Sequence, residues 1–261
     1  VSDEEIIVRE SVYAPDSNGM IVLTQYNGGT GSYWLTLKTE GEVIIDGENL
    51  YNKKFAALIT ITSAAKNVRV QGFKLRDHRC NQSLATTETI NGTPTLVKDT
   101  KFGIQVANSG ENIEIIGNEI YDFSWTVNVD PMKDRLDFTA AEIDTLKSAA
   151  PNDNIGPISI VGTDSLPLLN VVVKNNLIHH VIPGWTEGIQ LNGHLDGFEV
   201  SNNTIYEVQN IGIVAAGHYT WVPDIQGATV SSAQNYARNG VIKDNKVWSC
   251  RSPIAAAAGI Y

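Results

Sequence analysis

Two cysteines, Cys80 and Cys250, are all that the 261 residues contain, which excludes a disulfide framework and a metal site of closely spaced thiols. Long apolar runs are missing too. None approaches the roughly 18 residues that a membrane-spanning helix needs. The opening residues Val1 to Glu5 lack the basic and apolar blocks of a signal peptide, so a soluble chain is expected, already processed or cut from something longer. Positive charge is scarce: 19 Lys and Arg face 29 Asp and Glu, a formal net charge of −10. Such a surface repels phosphate backbones and anionic lipid, so neither nucleic acid nor membrane is expected as a partner. Good helix formers are sparse, whereas Gly, Asn and β-branched residues are plentiful, which favours an all-β chain with many turns. With 42% hydrophobic residues the chain can bury a core, and disorder is excluded as its main state.

What the chain does have is a repeat. Segments 67–78, 112–123, 170–181, 197–208 and 239–250 align, each with a turn residue, a short alternating strand, a polar corner and a second short strand. Another strand precedes each segment, with inward positions starting at Ile59, Ile104, Ile158, Ile189 and Ile213, and Ile260 begins a sixth. The shortest interval, Ile189 to Ile213, is one bare coil, and the longer ones are a coil plus a loop. Inward columns read Val70, Ile115, Val173, Val200, Ile242 and Leu75, Ile120, Ile178, Ile205, Val247; the corner reads Phe73, Asn118, Asn176, Asn203, Asn245.

Strands separated by corners rather than helices bury their apolar columns by stacking about 4.8 Å apart. The expectation is an all-β, right-handed parallel β-helix, a solenoid forming one domain over residues 1–261. A sandwich or barrel has no reason to repeat an Asn corner. Residues 1–54 make irregular first coils, including strands at 20–25 and 42–47, and 55–261 regular coils with insertions at 79–100, 124–156 and 219–238. Thr139 and Glu142 form a capping box ahead of a short helix at about 140–149 that Pro151 stops. Cys80 and Cys250 fall four coils apart and are expected to be free thiols. The chain ends inside its sixth coil, so it is expected to be incomplete at its C-terminus or covered there by a partner, through end-to-end self-association for example.

The strand pattern, the Asn corner and the ending Gly259-Ile260-Tyr261 resemble the pectate-lyase-like superfamily of secreted right-handed parallel β-helix proteins, over residues 55–261. The resemblance implies an extracellular protein with a substrate groove along the first strand of each coil, and it covers both polysaccharide lyases and non-catalytic adhesins. On that face Gln105, Gln190 and Asn192 point outward, and the loops add Trp125, Trp185, Tyr219, Trp221 and Arg251. Flat rings stack on sugars and amides bond hydroxyls, which suits a polysaccharide.

Lyase chemistry on a uronate needs a base and a cation. Candidate catalytic residues are His194 and His218, each after a glycine at the end of a first strand and one above the other in the alignment, with Glu187 and Arg238. The resemblance implies calcium in a carboxylate cluster, for which only Asp77 and Asp122, stacked on adjacent coils, are weak candidates. The acid motifs of polygalacturonase-type hydrolases and the regular Thr ranks of ice-binding helices do not occur. A polysaccharide lyase acting on an acidic glycan by β-elimination is expected first. A non-catalytic carbohydrate-binding, adhesin or self-assembling β-helix is the alternative, and the acidic net charge counts against the first unless a cation is concentrated at the groove.

Overall fold

In the computed structural model, residues 3–15, 21–24, 32–54, 56–62, 64–90, 92–97, 99–125, 137–149, 153–225, 227–252 and 257–261 are described. Positions 20 and 25 of the expected strand at 20–25 and Pro151 lie outside them, as does 126–136 of the second insertion. Among the described residues seventeen strands join into one hydrogen-bonded set, and the named pairings within it are parallel. The chain is a parallel β-helix.

The columns read from the sequence are the register of the coils. On the first strands Ile21 pairs with Ile59, then Ile59 with Ile104, Ile104 with Ile158, Ile158 with Ile189, Ile189 with Ile213 and Ile213 with Ile260. Val70, Ile115, Val173, Val200 and Ile242 pair in turn on the second strands, and Leu75, Ile120, Ile178, Ile205 and Val247 on the third. Most of these side chains have no exposed surface and belong to one core cluster. Stacking is the only way each coil removes them from water, worth about 1.5–3 kcal/mol for each fully buried Val, Leu or Ile.

The corner amides form a ladder. The Oδ1 atom of Asn176 accepts from the backbone N–H of Asn118 at 3.0 Å and from its Nδ2 at 3.1 Å, while Asn176 Nδ2 donates to the Ile115 carbonyl at 3.0 Å. Asn203 and Asn245 repeat the pattern, and Asn118 bonds the N–H of Phe73. The left-handed backbone of this corner falls one residue before the amides, at Gly72, Gly117, Asn175, Asn202 and Asp244. A second left-handed column lies within the second strands, at Asn67, Asn112, Asn170, Gly197 and Asn239, and a third runs through Asp77, Asp122, His180, Glu207 and Ser249. Asn and Asp tolerate that conformation better than other side-chain-bearing residues.

The helix spans Ala140–Ala149, with the Thr139 N–H donating to Glu142 Oε2 at 2.7 Å and the Glu142 N–H to Thr139 Oγ1 at 3.2 Å, the expected capping box. From the 79–100 insertion an antiparallel hairpin, Thr86–Ile90 with Thr93–Val97, stands apart from the stack. Neither cysteine is in a disulfide. The Cys80 thiol donates to the Asn154 carbonyl at 3.0 Å, and burial pushes the Cys250 thiol up to about 11.

Candidate functional site

On the outward face of the first strands Thr60, Gln105, Ser159, Gln190 and Val214 stand in register. Tyr261 follows Ile260 on the next rung, and its N–H donates to the Ile213 carbonyl at 2.9 Å. Ala107, Val161 and Asn192 align in the neighbouring column. The resemblance leads one to expect an open groove here. Instead the middle of the face is covered by the chain's own segment from Tyr219 to Asn235, whose Val222 and Val230 pack on Val161. Ser159, Gln190 and Asn192 are buried, and Ser159 Oγ donates to Gln190 Oε1 at 3.2 Å. Thr60 and Gln105, on the two preceding coils, remain half-exposed.

The strap is fastened at Asp164. Its Oδ1 accepts from Thr229 Oγ1 at 2.9 Å and its Oδ2 from Ser109 Oγ at 3.2 Å, bonds that lead the causes holding this carboxyl below its usual range. The N–H groups of Thr229 and Val230 both donate to the Thr163 carbonyl, and Gln234 Nε2 donates to the Ser165 carbonyl at 3.0 Å. Nothing in the repeat marks Asp164, because it lies in a corner loop outside the columns.

At the other edge of the face the turn 183–188 leads into the first strand at Ile189. Thr186 Oγ1 donates to the Ile155 carbonyl at 2.6 Å, and Asn210 Nδ2 donates to the carbonyl of Thr186 at 2.9 Å. This turn holds Glu187 at 7% exposure. Its Oε2 has no hydrogen-bond partner among the described residues, and burial alone pushes the carboxyl up to about 8. Near neutral pH Glu187 is a protonated acid. Its neighbour is Tyr219, whose phenol is raised first by burial and then by the charges of Glu187 and Tyr261. The Tyr219 ring stacks on Trp221 at 6.0 Å between centroids. Trp221 and Trp185 are 40% and 49% exposed, large enough open faces to receive a sugar ring.

The other candidates lie elsewhere or are engaged. Trp125 does not flank the groove. It sits in the core at 1% exposure because its strand keeps register with the next, the Trp125 N–H donating to the Ile182 carbonyl. Its ring also fills the space that a Cβ on Gly184 (φ +72°) would occupy, 2.6 Å from Trp125 Cε3. His194 and His218 are not stacked on each other. Tyr236 is the strand partner of His194, and the His218 ring stacks on Tyr236 at 5.6 Å. The chain bends back at Gly217, which forms an antiparallel bridge to Tyr236, and this displaces His218 from the alignment. His194 is buried, with Nδ1 3.2 Å from the Asp164 carbonyl, whereas His218 is exposed.

Arg238 lies on the second strand, where Nε and Nη2 engage Asp196 Oδ2 at 2.9 and 2.8 Å and Nη1 donates to the Tyr236 hydroxyl. It brings no positive charge to the first-strand face. Arg251 is exposed at the corner after the last third strand, its N–H on the Val208 carbonyl. Asp77 and Asp122 do stack in one corner column. The Arg76 and Arg79 guanidinium groups lie 3.4 and 3.7 Å from the Asp77 carboxylate, so the pair makes no acidic cage fit for calcium. Among the described residues no three His, Cys, Asp or Glu side chains converge as a ligand set.

A buried ion pair was not anticipated. Lys101 and Asp99 have fully buried side chains 3.4 Å apart, and Lys101 Nζ donates to the carbonyls of Leu50 and Tyr51 at 2.6 and 2.8 Å. Beside it His78 is fully buried, which pushes its imidazole down to about 4. A shallow concavity of about 400 Å³ lies outside, lined by Glu48, Asn49, Tyr51, Asn52 and Arg79. In comparisons with known proteins, no family model, no curated protein and no solved structure matches the chain.

Proposed function

We propose that this protein is an extracellular carbohydrate-active β-helix, of polysaccharide-lyase type, whose acid–base centre is Glu187 with Tyr219. The observation that carries the reading is the buried Glu187 carboxyl, whose Oε2 has no hydrogen-bond partner among the described residues and which is raised to about 8, beside a phenol and two exposed tryptophans. Perturbed groups of this kind concentrate at functional sites. Glycoside hydrolysis requires two cooperating carboxylates, but burial is the sole cause of the Glu187 shift. β-Elimination needs one base and one acid. The ionised Glu187 takes the proton from the carbon next to the uronate carboxyl, the bond to the glycosidic oxygen breaks, and the Tyr219 phenol, raised and therefore still protonated, gives its proton to the leaving oxygen. Gln105 and the exposed rings of Trp185 and Trp221 supply polar and stacking contacts to the polymer.

The experiment is incubation with pectate, alginate and glycosaminoglycan panels, with and without calcium, followed by ultraviolet absorbance of the unsaturated uronate product. Absorbance that rises on at least one polymer supports the reading. A flat trace on all of them overturns it. A non-catalytic saccharide-binding module is the second reading, favoured by the strap over Gln190 and Asn192 and by the engagement of Arg238 with Asp196. It predicts binding to a glycan without cleavage.

A further inference from the structure

The turn that follows Asp46, in the corner of an early coil, is held from below by buried polar groups. The His78 ring packs under Gly47, with Nδ1 3.4 Å from the Gly47 carbonyl and Nε2 3.1 Å from the Ala56 carbonyl. Lys101 Nζ donates to the carbonyls of Leu50 and Tyr51, and Asn81 Nδ2 donates to Asn52 Oδ1 at 3.0 Å. The Asn81 N–H in turn donates at 2.7 Å to Asp99 Oδ2, the carboxylate that pairs with Lys101. His78, Asn81, Asp99 and Lys101 are all buried. Taking an ion pair out of water costs about as much as it returns, so the pair is weak evidence for stability. What the network does fix is the path of the backbone from Gly47 to Ala56.

That backbone forms a wall of the concavity of about 400 Å³ lined by Glu48, Asn49, Tyr51, Asn52 and Arg79. The volume lies at the lower end of the range for small-molecule sites. Glu48, Asn49, Asn52 and Arg79 are exposed and Tyr51 is half-buried. The lining therefore offers a flat ring, two amides, a carboxylate and a guanidinium on a backbone fixed in advance, which lowers the ordering cost of binding. Asn52 Oδ1 is occupied by Asn81, which leaves the Asn52 Nδ2 hydrogens as donors. Amides and a carboxylate match the paired donors and acceptors of adjacent hydroxyls, and a phenol ring matches the apolar face of a pyranose. Charge narrows the class further. Glu48 and Arg79 cancel, and Arg79 Nη2 lies 3.7 Å from Asp77 Oδ1, so no positive charge is spare for a carboxylate in a chain of net charge −10.

We infer that this concavity binds a neutral hexopyranose unit, its hydroxyls bonded by the Glu48 carboxylate and the Asn49 and Asn52 amides and its ring packed on Tyr51. The buried Lys101–Asp99 pair acts on the sugar only through the backbone that it holds, as a positioning device. The site belongs to the corners after Asp46 and Arg76, which are neighbours in register, whereas Glu187 follows the strand of His179, two coils beyond Arg76. It is a separate site, and the inference holds whether or not the Glu187 edge cleaves a polymer.

The test is a residue-resolved amide NMR titration of the isotope-labelled full chain with the methyl glycosides of galactose, glucose and mannose and, in a separate arm, with galacturonate. Saturable shifts at residues 48–52 and 79 are expected with at least one of the three glycosides. Glu48→Gln and Tyr51→Leu leave every backbone bond of the turn in place, so both variants are expected to fold. Binding is expected to weaken at least about tenfold in Glu48→Gln, which loses a charge-assisted bond, and roughly threefold to tenfold in Tyr51→Leu. Galacturonate is expected to bind at least about tenfold more weakly than the best glycoside, because Glu48 repels it. Absence of saturable shifts at 48–52 and 79 with all three glycosides would overturn the proposal, as would shifts confined to Trp185, Glu187 and Trp221. Galacturonate bound as tightly as the glycosides, or wild-type affinity in both variants, would overturn it equally.

Discussion

A carboxyl group that leaves water is destabilised in its charged form by several kcal/mol unless it is fully partnered, and Glu187 is buried with no partner at Oε2 among the described residues. Its protonated form is favoured by the fold, so the native state holds an extra proton between the ordinary Glu range near 4.5 and the folded value of about 8. Stability therefore falls as pH rises through that window. His78 works in the opposite sense. Its folded value of about 4 lies below the ordinary 6.5, so its contribution is present above pH 6.5 and is lost as pH falls toward 4. The two slopes oppose each other between pH 4.5 and 6.5, and Glu187 acts without that opposition from 6.5 to 8. Glu187→Gln is expected to remove the alkaline decline and to stabilise the protein above pH 8 by on the order of 5 kcal/mol, measured by urea denaturation at several pH values.

The Asn ladder shows what a single element contributes and how much of it the sequence displayed. Asn176 is buried and saturates the Asn118 N–H and the Ile115 carbonyl. Asn176→Ala leaves these backbone groups unpaired and is expected to cost about 3 kcal/mol. Asn245 is only partly buried, so water replaces its bonds and Asn245→Ala should cost about 1 kcal/mol. Equal losses at the two positions in chemical denaturation would contradict this account of the ladder.

The ladder, the inward columns and the capped helix were legible because each depends on local periodicity that repeats or on a short cap. The left-handed residues just before the amides were not legible, since composition marks a polar corner without showing which of its residues turns. Trp125 and Arg238 show the limit more sharply. An indole in an insertion reads the same whether it faces a groove or a cavity beside Gly184, and an arginine near a loop gives no sign that Asp196, on the neighbouring coil, engages it. Glu187 was singled out for its place beside a first strand. Its burial depends on the fold of the turn 183–188 and could not be read from sequence spacing.

Across the whole molecule, the feature that most alters the expected architecture is the strap. A bare β-helix offers one continuous face, whereas here the segment from Tyr219 to Asn235 covers its middle, leaves Thr60 and Gln105 half-exposed and brings its own Tyr219 and Trp221 to the Glu187 edge. Because Asp164 collects the bonds from Thr229, Ser109 and Ser165, it controls how firmly the strap is seated. Asp164→Ala is expected to speed amide hydrogen exchange within 219–235 by at least about tenfold while the Asn-ladder amides keep their protection. Uniform acceleration across both regions would show that the strap is not a separate cooperative unit. The acidic net charge fits this picture of a largely closed, neutral face, and it means that an anionic polymer has to be received at Glu187 in its protonated, uncharged state before the base is generated.

The central claim, that Glu187 is the acid–base group of a carbohydrate-active site, is tested most directly by the pH profile of unsaturated-uronate formation for the wild type and for Glu187→Gln. The account predicts a wild-type rate that climbs through an ionisation near pH 8 and a loss of at least about a hundredfold in the variant. A Glu187→Gln protein with the wild-type rate, or a wild-type profile that passes through pH 8 without a rise, would contradict it.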